Sequence, residues 1–91
     1  MTRSEIEVFI ASKLESLLRR IEAAGYENAG VEIVDGQKDG PPVALWVRLV
    51  ADRDGHHHAL PTVAADDGED GVLGALTLQA EATWLKRVNR N

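Results

Sequence analysis

Pro41-Pro42-Val43-Ala44-Leu45-Trp46-Val47-Arg48-Leu49-Val50-Ala51-Asp52-Arg53-Asp54-Gly55-His56 is the stretch that decides the fold of this chain. The two prolines carry no amide hydrogen and cannot donate to a sheet ladder, so strand pairing is expected to begin near Val43. From there the strand has two faces. Val43, Leu45, Val47, Leu49 and Ala51 form an uninterrupted apolar row suited to a core, and Ala44, Trp46, Arg48, Val50 and Asp52 point the other way. Asp54-Gly55 is a strong signal for a two-residue hairpin, because a type I′ turn needs positive φ at both central positions. That turn pairs Arg53 with His56, Asp52 with His57, Ala51 with His58, Val50 with Ala59 and Leu49 with Leu60. Opposed residues share a face, so Leu60 joins Leu49 on the core side and His57 meets Asp52 on the outer side. Pro61 should end the returning strand.

Upstream, residues 4–24 read as a helix. Ile6, Phe9, Ile10, Leu14, Leu17, Leu18, Ile21 and Ala24 recur at three- and four-residue steps, which makes one apolar stripe. Ser4 with Glu7 matches a capping box, Thr2 with Glu5 offers an earlier one, and Gly25 suits a left-handed stop. A turn is expected at Asn28-Ala29-Gly30, followed by a short strand Val31–Val34 with Val31 and Ile33 on one side. Asp35-Gly36 and Asp39-Gly40 bracket a polar loop.

Downstream, residues 61–71 are expected to form an acidic loop. From Val72 to Asn89 two readings compete. Leu76, Leu78, Ala80, Ala82 and Trp84 alternate with polar residues, the period of a half-buried strand. The residue types favour a helix, with Leu73, Leu76, Ala80, Trp84 and Val88 on one face. Acids at 66–70 before it and Lys86, Arg87 and Arg90 at its end complement a helix macrodipole. Helix is the preferred reading, and a further strand over 72–88 is the alternative. The fold class expected is α+β in the order α-β-β-β-α: a single domain (1–91) with a three-stranded antiparallel meander and two helices on one face.

The 91 residues carry a net charge of −5 and no cysteine. Disulfides, thiolate catalysis and cysteine-ligated zinc are excluded, and a reducing compartment is permitted. Met1-Thr2-Arg3-Ser4-Glu5 is too polar for a leader's apolar core, and no apolar run approaches the ~20 residues of a membrane span, so the cytoplasm is expected. Bases are scattered along an acidic chain, which disfavours direct nucleic-acid binding and favours a basic protein partner.

His56-His57-His58 places His56 and His58 on one face, where both can reach one metal ion. Zinc sites need three or four protein ligands, and the chain has no other histidine, so they are weak metal candidates and no cofactor is expected. Asp66-Asp67-Gly68-Glu69-Asp70 lacks the spacing of a calcium loop. Serines occur only at 4, 12 and 16, remote from the histidines, and Gly68, Gly71 and Gly74 are followed by no lysine that would make a phosphate loop. Catalysis is not expected.

Excess apolar surface is the feature left over. Trp46, Val50 and Ala44 lie on the sheet face away from the helices, and on a helix Leu78 and Leu85 fall well off the core face. Trp46, Arg48 and Val50 are the expected partner contacts, with Leu78, Leu85, Asp66, Asp67, Glu69 and Asp70 as secondary ones. Short, acidic, cysteine-free α+β chains of this kind resemble, in type only, phage-encoded inhibitors and bacterial immunity proteins. That resemblance implies a stoichiometric inhibitor of a larger protein, or a homodimer. A metal module at His56/His58 and a structural subunit of a phage-type assembly are the alternatives.

Overall fold

The computed structural model describes residues 3–34, 46–64 and 68–86. The elements run α1 (Arg3–Lys13), α2 (Glu15–Ala23), β1 (Glu27–Val34), β2 (Trp46–Arg53), β3 (His56–Ala59), β4 (Val63–Ala64) and α3 (Gly68–Thr83). The class is α+β, with an antiparallel sheet in the order β1-β2-β3 and β4 also paired to β2. The expected strand start at Val43, and with it Val43, Ala44 and Leu45, lies outside the described residues, as do Asp66, Asp67 and Val88.

The hairpin register follows from its turn. Asp54 and Gly55 both have positive φ, 55° and 80°, and Arg53, Asp52, Ala51 and Val50 oppose His56, His57, His58 and Ala59. The Leu60 amide then donates to the Leu49 carbonyl at 2.9 Å. Pro61 interrupts the edge, yet pairing resumes: Val63 opposes Val47 and Ala64 opposes Trp46. Resuming there carries Val63 onto the core side against the buried cluster. The expected loop over 61–71 is thus corrected at both ends, since β4 occupies its start and α3 begins at Gly68. The strand alternative for the C-terminal segment gives way to a helix that buries Val72, Leu76 and Ala80.

The single helix expected over 4–24 is instead two. Leu14 leaves the helical region (φ −108°, ψ 17°), and its amide is shared between the Ile10 and Ala11 carbonyls at 3.1 Å each. Just before the break the Ser12 hydroxyl donates to the Phe9 carbonyl at 2.7 Å. Back-bonding of this kind competes with the helical ladder and bends helices. Ile10, Leu14, Leu17 and Ile21 still face the sheet across the break. Phe9 does not: it is 40% exposed, because it stands about 100° around α1 from Ile10, on the flank. α2 closes as expected: Gly25 (φ 108°) follows Ala24, its amide bonding the Glu22 carbonyl and that of Tyr26 the Ile21 carbonyl, a Schellman cap.

The capping box at Ser4 and Glu7 does not form, because α1 begins at Arg3. Glu7 instead accepts the Ile33 amide of β1 at 2.9 Å. β1 is an edge strand, and a carboxylate over an outward amide blunts the template that an open edge offers to other chains. The turn expected at Asn28-Ala29-Gly30 is a bulge within β1. Glu27 opposes Asp52 and Gly30 opposes Val50, so two residues face one. Asn28 takes positive φ there (55°), a conformation asparagine tolerates well.

Candidate interaction surface

The sheet has unlike faces. On one, Ile33, Val47, Leu49, Ala51 and Leu60 are buried together with Ile10, Leu14, Leu17, Ile21, Val72, Leu76 and Ala80, so all three helices share the same side. On the other, β2 presents Trp46, Arg48, Val50 and Asp52, each half-buried, and no described helix lies over them. Their neighbours follow from the register. Val34 and Ala64 flank Trp46, Glu32 opposes Arg48, and Gly30 and Ala59 flank Val50. Glycine and alanine leave Val50 little to pack against laterally.

The middle of this face is a cross-strand ion pair. Arg48 reaches Glu32 with both Nε and Nη2 at 2.6 Å. Partly exposed as it is, the pair fixes the guanidinium more than it stabilises the fold. At one end Trp46 has its indole Nε1 enclosed with no hydrogen-bond partner among the described residues. An orphaned donor costs about 1–3 kcal/mol, which the ring's remaining apolar contacts must offset. At the other end Asp52 accepts from Asn28 Nδ2 at 3.0 Å and from His57 Nδ1 at 2.7 Å. These two bonds, the Asn28 bond foremost and that from His57 next, hold the Asp52 carboxyl below its ordinary 3.8, with the positive potential of His57 and His58 adding to them.

Other expected contacts lie elsewhere. Leu78 is 68% exposed on the outer side of α3, and Asp70 is exposed in its first turn. Leu85 does not lie off the core face as expected: it packs against the core cluster. Past Thr83 the amides of both Trp84 and Leu85 bond the Ala80 carbonyl, so the regular helical step is lost. His58 meets Tyr26 edge to ring, centroids 6.3 Å apart. His56 and His58 gather no third metal-type ligand among the described residues.

Two groupings escaped the sequence reading. Val8 (68% exposed) adds to Phe9 on the outer face of α1; a valine among charged residues gave no periodic signal. The bases that look scattered in sequence also converge, Arg20, Arg53 and Lys86 lining one cavity. Only tertiary structure brings those positions together.

The class so defined is a small α+β domain with a sheet covered by helices on one face and a partly apolar outer face that no described helix covers. Comparison with protein-family models, curated proteins and solved structures returned no match to this chain. Among the described residues no helix is long and apolar enough to cross a membrane.

Proposed function

We propose that this chain is a non-catalytic protein-binding module that meets its partner through the outer face of its sheet, acting as a stoichiometric binder or inhibitor of a larger protein. The observation that carries this reading is a sheet face bearing Trp46, Val50 and Val34 with no described helix over it. A solvated antiparallel sheet ordinarily alternates to polar residues on its outer face. An aromatic, a fixed arginine and aliphatic neighbours are the composition of an interface centre. The net charge of −5 favours a basic partner by steering.

The test compares Trp46→Ala with the parent chain for partner capture from native lysate and for solution mass. Loss of about 2 kcal/mol of binding, near thirtyfold, is expected for an anchoring tryptophan. Undiminished capture and unchanged mass would remove the sheet face from consideration.

A further inference from the structure

On the helical side, α2, the β2–β3 hairpin and the end of α3 enclose an open cavity of about 590 Å³ lined by Arg20, Arg53, Lys86, Trp84, Ala23 and Leu85. Among the described residues no carboxylate lines it, although the chain holds 15 acidic residues against 10 basic ones. Arg19 and Arg48 are held by Glu15 and Glu32 at 2.6 Å, and Arg20 more loosely by Glu81 at 3.3 Å. Arg53 and Lys86 have no ion-pair partner among the described residues. Arg53 instead lies over the Tyr26 ring, 4.9 Å from its centroid, and Tyr26 packs on Trp84 at 5.1 Å. The cavity thus joins two cations without an ion-pair partner among the described residues, and a third weakly held one, to the Trp84 ring. A helix end explains part of this, because Arg20 sits in the last turn of α2, where positive charge offsets the dipole. It does not explain Lys86, which lies past the end of α3, or Arg53, which ends β2.

We infer that this cavity is a binding site for a small molecule carrying a phosphate group on a flat apolar body. A carboxylate is satisfied by one arginine, whereas the paired charges of Arg53 and Lys86 match the charge of about −1.5 to −2 that a phosphate monoester carries near neutral pH. The volume falls within the range of small-ligand sites. Trp84, backed by Tyr26, offers the apolar body a wall, and the site shares no residue with the outer sheet face, so it stands apart from the partner-binding reading.

Phenyl phosphate is the probe, titrated at constant ionic strength so that screening is unchanged, with the two indole N–H resonances as the readout. Saturable movement of the Trp84 resonance, with Trp46 unmoved, is the expected result. Arg53→Gln and Lys86→Gln change exposed residues and should each weaken binding about tenfold, whereas Arg19→Gln, outside the cavity, should not. Inorganic phosphate should act on the same residues more weakly, and uncharged benzyl alcohol should not bind. Absence of saturation, equal binding by benzyl alcohol, or indifference to both cavity variants would overturn the assignment.

Discussion

Asp52 and His57 face each other across the hairpin with Oδ1 and Nδ1 2.7 Å apart, on the sheet face opposite the buried Ala51. One turn geometry sets both facts. Two residues at Asp54-Gly55 leave no freedom in the count, so the face of every later residue on the returning strand is decided at the tip.

The bonds that Asn28 and, next, His57 make to Asp52 make the hairpin acid-sensitive. Asp52 is held below its ordinary 3.8 in the folded chain, so the carboxylate stabilises the fold above that value. The contribution is lost as pH falls through the lower folded value. Thermal melts between about pH 5 and 2 should show the parent losing stability more steeply than Asp52→Asn, which lacks this titration. Parallel acid limbs for the two proteins would mean that the contact does not bear on folding.

The rotational phase of α3 is checked by neighbours two positions apart. Leu76 is fully buried and Leu78 is 68% exposed. Leu76→Ala should cost about 2–5 kcal/mol in urea unfolding, as a cavity in a small core does. Leu78→Ser should stay within about 0.5 kcal/mol of the parent. Equal losses would place both residues in the core and contradict the helix.

Glu7 ties α1 to the free edge of β1 through the Ile33 amide. In Glu7→Ala that amide should exchange with solvent faster, while the Leu49 and Val47 amides on the central strand keep the protection of the parent. The exposed edge should also raise concentration-dependent association. Unchanged exchange at Ile33 would show that the carboxylate does not cover it in solution.

How much of this was legible before folding depends on the range over which each feature is decided. The hairpin register, the core row of β2 and the Gly25 stop follow from residues within a few positions of each other, and local chemistry specifies them. The break at Leu14 needed one hydroxyl, Ser12, to choose the Phe9 carbonyl over solvent, which periodicity does not report. The bulge at Asn28 looked like a turn because both use positive φ and differ only in whether the strand continues. Phe9 matched the apolar stripe by spacing, yet the angle at which α1 meets the sheet left it on the flank. Arg20, Arg53 and Lys86 are joined by nothing but tertiary packing. For the candidate surface, alternation was enough to put Trp46, Arg48 and Val50 on one face; that Glu32 fixes Arg48 required the β1 register.

The chain has no cysteine, so a single introduced thiol reports on one face alone. Val50→Cys on the outer sheet face and Leu78→Cys on the outer side of α3 should be alkylated with and without the captured partner. The account predicts that the partner shields position 50 from alkylation and that a bulky label there blocks capture, while position 78 behaves alike in both states. Shielding at 78 with free reaction at 50 would contradict it.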